Sequence, residues 1–346
     1  MKKSSFLFIV VVGMAAWIAA SPALAQTRLR GGNVNAGMGR GDLVELADWN
    51  ANLLRVQIVP EIEAPIDPRA NWAAYAAWYQ STVDHQVRNI RDVILPFAHS
   101  RGMKVLVDLH RPPGHYRTSS GDVIGGTWVF RGSHPSRALF LNTWDRITDQ
   151  LSGRPGLWGY DLLNEPAGRT NRWRTLAQEA ISRIRARDNN ARIVVESRYG
   201  DPARLPELAP IRGHRIIYSV HFYRPMQFTH QLEPGRATIA YPGRIAGKNW
   251  NRDRVRRSLQ RVRDWQNRHG ARILMGEFAA ARWAPGSLRY MRDVIEVCEG
   301  WGWDWAYHAF REANVWDVER GMDASSGRVA MSTKERMLRS YMARNR

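Results

Sequence analysis

Eight short apolar runs, separated by longer stretches of helical periodicity or by broken crossovers, govern what this chain can become. They are Leu29 to Asn35, Leu53 to Val59, Lys104 to His110, Leu157 to Leu163, Arg192 to Glu196, Ile216 to Tyr223, Arg272 to Phe278 and Trp303 to Phe310. A strand covered on both faces reads as a nearly continuous apolar run, and a helical crossover between such strands makes them parallel. Between the runs, Val83, Val87, Ile90, Ile94 and Phe97 recur every three or four residues, as do Val255, Leu259, Val262 and Trp265, which marks helices with one buried face. Further helices are expected at Ser136 to Leu151, Arg172 to Arg187 and Lys334 to Ala343, whereas Asp201 to Arg212 reads as a short, Pro-broken crossover. Parallel strands alternating with helices in this number close into a single α/β barrel, the (β/α)8 or TIM barrel. No G-x-G-x-x-G turn follows an early run, which argues against a dinucleotide fold.

The N-terminus has a different character. Met1-Lys2-Lys3, an apolar stretch from Phe6 to Ala20 and Ala23-Leu24-Ala25 are the basic region, hydrophobic core and A-x-A site of a signal peptide. The reading is therefore a leader at 1–25 and one catalytic domain at 26–346, exported to the periplasm or the exterior, with no later segment apolar enough to cross a bilayer. No repeat, low-complexity tract or Pro/Ser-rich linker divides the remainder, so a separate carbohydrate-binding module is not expected, and the protein is expected to act as a monomer. The single cysteine, Cys298, excludes an intramolecular disulfide and lies on a helical stripe with Leu288, Met291, Val294 and Ile295, the pattern of a buried structural thiol. The formal charge of +19 invites a nucleic-acid partner, yet the arginines are spread along the chain on helix faces such as Arg252, Arg256, Arg257 and Arg261. A solvated basic surface, not a nucleic-acid site, is the expectation.

In a barrel of this kind the chemistry sits where strands end, at the C-terminal mouth. The runs end in Asn33, Arg55, His110, Asn164 with Glu165, His221 with Tyr223, and Glu277. Polar groups at so many strand ends each need a partner or water, which a barrel built only for stability would not require. Two glutamates on different strands, with an asparagine, two histidines and a tyrosine around them, equip a site to cleave an acetal by double displacement. At the roughly 5 Å separation of a retaining pair, the charge of one carboxylate favours the protonated form of its neighbour. Glu165, before Pro166 at a loop start, is the expected general acid/base, and Glu277, with Arg55 and Tyr223 to stabilise its charge, the expected nucleophile. Asp108 and Asp161 precede the mouth and are read as structural partners inside the barrel. No H-x-x-x-H or H-E-x-x-H pair occurs, so neither a metal nor another cofactor is expected.

These segments resemble glycoside hydrolase family 5, the large cellulase-like family of clan A. Leu157 to Pro166, reading LWGYDLLNEP, is similar to the family's acid/base motif, and Ile273 to Phe278, reading ILMGEF, to its nucleophile strand. Arg30-Gly31-Gly32-Asn33, Leu54 to Ile58 with its arginine, Val105 to His110 and Val220 to Tyr223 match the family's first, second, third and sixth strands in order. The resemblance implies that Asn164 contacts the sugar 2-hydroxyl and that His110 and His221 line the −1 subsite. It also implies a polysaccharide or oligosaccharide substrate, cellulose-like by family, with β-mannan, mixed-linkage or β-1,3-glucan as alternatives. Transglycosylation, or a catalytically silent sugar-binding barrel, remain the other readings.

One departure stands out: the family usually carries a tryptophan at the end of the eighth strand, and here WDWAYHAFRE, Trp303 to Glu312, puts His308 there. Trp305 or Trp316 is then expected to supply the stacking platform. Of the 15 tryptophans, Trp128, Trp250, Trp283 and Trp316 lie in loops and are candidates for pyranose contact, while Trp158, Trp173 and Trp265 fit core patterns. The long third loop, His110 to Gly132, is expected to wall the cleft.

Overall fold

The computed structural model describes residues 27–233, 235–236, 238–321 and 327–345, so the expected leader at residues 1–25 lies outside the described residues. Eight strands pair in parallel and close on themselves: β1 (Arg30–Asn35), β2 (Leu53–Ile58), β3 (Lys104–Leu109), β4 (Leu157–Asp161), β5 (Arg192–Glu196), β6 (Ile216–Phe222), β7 (Arg272–Phe278) and β8 (Asp304–Tyr307). Each matches one of the expected runs. Several runs extend past the strand because the polar residues at their ends turn out of the ladder into the mouth, as His110, Asn164, Tyr223 and His308 do.

Side chains along a strand alternate between its two faces, and here the alternation builds two separate cores. Outward-facing residues such as Val56, Val107, Val195 and Val220 pack beneath the helices in one large cluster. Inward-facing Leu29, Leu53, Leu106, Trp158, Val194, Ile217, Leu274 and Ala306 form an isolated apolar layer across the bottom of the barrel. Two residues further along the same inward rows stand Arg55, Asp108, Glu196 and Ser219, all buried. Beyond these come Gln57, His110 and His221 at the mouth. The barrel is thus filled with hydrocarbon below and hydrogen-bonding groups above.

The helices stand close to their expected positions: Pro135–Leu151, Thr170–Arg185, Arg252–His269 and Thr333–Met342. The periodic stretch from Val83 to Phe97 forms a helix, Trp72–Asn89, that runs through a π-helical turn at Ile90–Ile94 into Leu95–Ser100. Asn71 and Asn251 cap two of these helices by accepting from the amides of Ala74 and Arg254, which satisfies donors that the first turn leaves free. The crossover after β5 is a short helix, Pro202–Glu207, with Pro206 inside it. The helix Arg40–Asp48 has only Leu43 and Leu46 as buried residues, too few to register as a periodicity. Arg252, Arg256, Arg257 and Arg261 are exposed, and Cys298 is buried among the helix residues, where burial pushes its thiol pKa up. No helix among the described residues is long and apolar enough to cross a membrane.

Candidate active site

Arg55 occupies the centre of the polar layer and is fully buried. Its Nε donates to Asp161 (2.9 Å), Nη1 to Glu277 (2.9 Å) and Asn33 (2.8 Å), and Nη2 to Glu196 (2.8 Å) and Asn164 (3.0 Å). Asp108 Oδ2 lies a further 3.1 Å from Nη2. Burial works against the guanidinium charge, but Asp108, Asp161, Glu196 and Glu277 together hold its pKa well above the ordinary value. One planar cation with five donors thereby joins side chains from β1, β2, β3, β4, β5 and β7, a role that the point charge of a lysine would not fill. The enclosed carboxylates divide: burial, reinforced by Glu196, raises Asp161 well above the carboxylate range, whereas for Glu196 the effect of burial is outweighed by His221 and Arg55.

Glu277 is aimed into the mouth by an irregularity in β7. The register against β6 shifts between Met275 and Glu277, so the strand carries an extra residue there. That residue is Gly276, where a Cβ would lie 2.4 Å from the Ser219 hydroxyl and 2.9 Å from His221 Nε2. Glu277 Oε1 accepts from Arg55, and Oε2 accepts from the Tyr223 hydroxyl at 2.9 Å. Burial opposes its charge, yet His221, His308 and Arg55 outweigh that effect and hold the carboxyl far below its usual range. Conversely, burial and the neighbouring Glu277 charge keep the Tyr223 phenol protonated well above its ordinary pKa.

Glu165 differs in every respect. Its side chain is 41% exposed, and its backbone is left-handed, with φ of 44°, a conformation that costs a non-glycine residue on the order of 1–3 kcal/mol. The compensating contact is the Glu196 carboxylate, whose Oε2 accepts from the Glu165 amide at 2.7 Å. His221 links the two glutamates: Nδ1 lies 2.9 Å from Glu165 Oε1 and 3.6 Å from Glu277 Oε2, while Nε2 is 3.1 Å from Glu196 in poor hydrogen-bond alignment. Burial would lower the pKa of His221, but Glu196 and Glu277 raise it well above the ordinary value. An imidazolium fits this setting, with Nδ1 donating to Glu165 and the charges of Glu196 and Glu277 close by.

His110 Nδ1 is 2.8 Å from Asp108 and its Nε2 is 3.4 Å from the Asn164 amide, so Asp108 orients the ring. His308 packs edge-on to Tyr223 (6.3 Å between ring centroids) and lies 5.1 Å from Trp316. Its pKa, which burial alone would lower, is raised by Glu277 and Glu312, the latter with Oε2 at 3.6 Å from Nε2. These groups surround a cavity of about 420 Å³ lined by His110, Asn164, Glu165, His221, Tyr223, Glu277, His308 and Trp316 from the expected set, with Tyr199, Asp201, Pro202, Arg224, Met226 and His230 beside them.

Not every expected residue is there. Trp305 is fully buried on the outer face of β8, its indole donating to Glu299 at 2.9 Å, because its neighbour Ala306 is the one that points into the barrel. Trp250 is buried in the hairpin Gly243–Ile245 with Lys248–Trp250, Trp283 donates to the Gln231 carbonyl, and Trp128 packs on His134 at 4.6 Å. None of them lines the cavity, nor does any residue of 111–132, which fold back into a small hairpin, Tyr116–Arg117 with Val123–Ile124. Asp108 and Asp161 are indeed interior partners of Arg55. Besides the cavity-lining Tyr199, Asp201, Pro202, Arg224, Met226 and His230, two charged contributors escaped the sequence reading. Glu196 closes an apolar run as the other site residues do and was legible by the same rule, whereas Glu312 lies in the loop beyond β8 with no pattern to announce it.

Two clusters have spacing that a cation could use: Glu165, His221 and Glu277, and Asp108, Asp161 and Glu196. In the second, the Arg55 guanidinium already lies among the carboxylates, and in the first the raised pKa of His221 favours a protonated ring, which has no lone pair to offer a cation. One oxygen of Glu165 and one of Glu277 lie within 4.8 Å of each other. A held, ionised carboxylate facing a solvent-accessible one at that spacing can attack a carbon and exchange a proton on the same bond.

Comparison with known proteins gives the family. Residues 28–313 match the family model Cellulase (glycosyl hydrolase family 5). Endoglucanase C of Acetivibrio thermocellus is 24% identical over 242 residues, covering 60% of this chain and 68% of that protein. Among solved structures, the cellulose synthase subunit Z of Clostridioides difficile superposes with a TM-score of 0.63 at 19% identity, over 91% of this chain and 99% of that one. Cel5A of Thermotoga maritima, a mutant form in complex with cellobiose, does so with a TM-score of 0.65 at 20% identity, over 92% and 97%. The barrel, its mouth and the match over residues 28–313 agree: the chain belongs to glycosyl hydrolase family 5 and is a glycoside hydrolase.

Proposed function

We propose that the protein hydrolyses internal or terminal β-linkages of a glucan with retention of configuration, Glu277 acting as nucleophile and Glu165 as acid/base. The observation that carries this reading is that an oxygen of Glu165 and an oxygen of Glu277 lie within 4.8 Å of each other with His221 between them, an approach that suits a retaining pair better than the wider gap in which an inverting pair seats its water. In the first step a Glu277 oxygen bonds to the anomeric carbon, the bond from that carbon to the glycosidic oxygen breaks, and the departing oxygen takes the proton of Glu165. In the second, Glu165 takes a proton from water as the water oxygen attacks the same carbon and Glu277 leaves. Arg55 and Tyr223 hold the Glu277 carboxylate in place throughout, and Asn164, braced by Arg55, is positioned for the 2-hydroxyl. Trp316 is the tryptophan left to stack on the sugar, beside His308 where the family's usual tryptophan would be. The β-glucan assignment rests on the family and on the endoglucanase named above.

The purified protein, offered β-1,4-glucan, mixed-linkage glucan, β-1,3-glucan and β-mannan, is expected to release reducing ends from the first. Proton NMR at early times should show those ends as the β-anomer. Initial α-anomer would overturn the retaining mechanism, release from mannan alone would overturn the glucan assignment, and release from none would favour a silent binding barrel. Replacing Glu165 by alanine is expected to slow hydrolysis of unactivated oligosaccharides by about 10²- to 10⁴-fold while largely sparing formation of the glycosyl-enzyme from aryl glycosides with acidic leaving groups. Equal losses on both, measured by pre-steady-state release of the phenol, would remove Glu165 from that role.

A further inference from the structure

We infer that His308 and Glu312 together read one hydroxyl of the sugar that becomes bonded to Glu277, the imidazole donating to its oxygen and the carboxylate accepting its hydrogen; this rests on the hydrolase reading above. His308 stands just past the end of β8, where the family's usual tryptophan would offer a flat apolar face, and it lines the cavity with both glutamates. An imidazole facing a carboxylate offers a donor and an acceptor instead. His308 Nδ1 is enclosed and has no partner among the described residues, so what the ring gives to a ligand it gives through Nε2. Nε2 lies 3.6 Å from Glu312 Oε2, a separation too wide for a direct hydrogen bond. An oxygen seated between them at ordinary hydrogen-bond lengths spans that gap, and a hydroxyl is the group that accepts on one side and donates on the other.

The position of the pair identifies which sugar. The His308 ring packs edge-on against Tyr223, with 6.3 Å between centroids, and Tyr223 donates to Glu277. The His308 amide donates to the carbonyl of Phe278 at 3.1 Å, which ties the residue to the strand that carries Glu277. Glu312 is held from the other side. With its nitrogen turned toward Glu312, the Gln57 side-chain amide donates to Oε1 at 2.5 Å and to Oε2 at 2.8 Å. Gln57 is fully buried on β2, so the carboxylate is fixed from the barrel interior. A pair that served only the fold would close to direct contact, whereas this one stands open by the width of an oxygen beside the cavity. Each internal sugar of a β-1,4-glucan has free hydroxyls at positions 2, 3 and 6. With Asn164 positioned for the first, the pair is left with the 3- or the 6-hydroxyl.

The test is a cycle between side chain and hydroxyl. Wild type, His308→Phe and Glu312→Gln are compared on an aryl β-cellobioside and on its 3-deoxy and 6-deoxy analogues, each altered in the sugar that carries the aryl group. The readout is the ratio of kcat/KM on the parent to kcat/KM on an analogue, taken within one protein, so a variant that folds poorly leaves it readable. The intrinsic effect of deoxygenation is common to the three proteins and cancels between them. For one analogue the ratio is expected to be about 10- to 100-fold larger in wild type than in His308→Phe, the size of a hydrogen bond to a charged group, and for the other it is expected to be the same in both. Glu312→Gln, which keeps an acceptor without the charge, is expected to fall between. Ratios in His308→Phe equal to those of wild type for both analogues overturn the proposal, and a Glu312→Gln protein indistinguishable from wild type overturns the carboxylate's part in it. If wild type cleaves none of the three glycosides, the hydrolase mechanism itself fails and the reader with it.

Discussion

Glu277→Ala is expected to reduce hydrolysis of β-glucan oligosaccharides by roughly 10⁴- to 10⁶-fold, the range seen when an enzyme loses its nucleophile but keeps its binding site. The size of the effect follows from how the carboxylate is held. Arg55 and Tyr223 donate to its two oxygens, and the surrounding positive charge keeps it ionised well below the pH at which a free glutamate would protonate. Alanine leaves a space on that face of the anomeric carbon. With a glycosyl fluoride, azide is expected to enter that space, bond to the carbon as fluoride departs, and yield the α-glycosyl azide. A β-azide would instead assign Glu277 to the acid/base, and undiminished activity would remove it from the mechanism.

Arg55→Met is expected to cost stability as well as turnover, about 3–5 kcal/mol at pH 7, because a buried cation is taken from charges that remain. Asp108, Asp161, Glu196 and Glu277 all lie within 3.1 Å of the guanidinium, which has no access to solvent. The pH dependence has a definite sign. Glu196 and Glu277 have depressed pKa values in the folded protein, so the stability they contribute is present above the unfolded value, about 4.3, and is lost as pH falls through the folded values. In the methionine variant that contribution is reduced, so the gap from wild type should be full at neutral pH and narrow below about pH 4. Asp161, with its pKa raised, works in the opposite sense and favours the folded state toward acid in both proteins. Urea denaturation at pH 7 and pH 3 checks this; equal stabilities at pH 7 would show that the cluster does not depend on its cation.

How much of this was legible in the sequence depended on periodicity. The eight strands were readable because both faces are buried, and the polar residues Arg55, His110, Asn164, Glu165, His221, Tyr223 and Glu277 were readable because each interrupts an apolar run, although Arg55 stands within β2, one layer below the mouth, and not at the strand end where it was expected. Trp305 misled for a related reason. Without the register of β8 there was no way to tell that Ala306, not its neighbour, faces inward, and one residue of slip exchanges the cavity for the outer core. The loop residues were the least accessible. Tyr199, Arg224 and Met226 have no spacing to mark them, since their places are set by turns and by contacts to distant segments such as Pro166. Loop tryptophans were equally uninformative: of Trp128, Trp250, Trp283 and Trp316, only the last lines the cavity.

The apolar layer beneath Arg55, from Leu29 to Ala306, has a consequence for proton traffic. It makes the barrel a cup with an apolar floor. Among the described residues the cluster around His221 opens on the cavity at the mouth, so its exchange of protons with water is expected on that side. Under the proposed mechanism the inner groups are expected to exchange protons with water chiefly by way of Glu165 at the rim, whose side chain is 41% exposed.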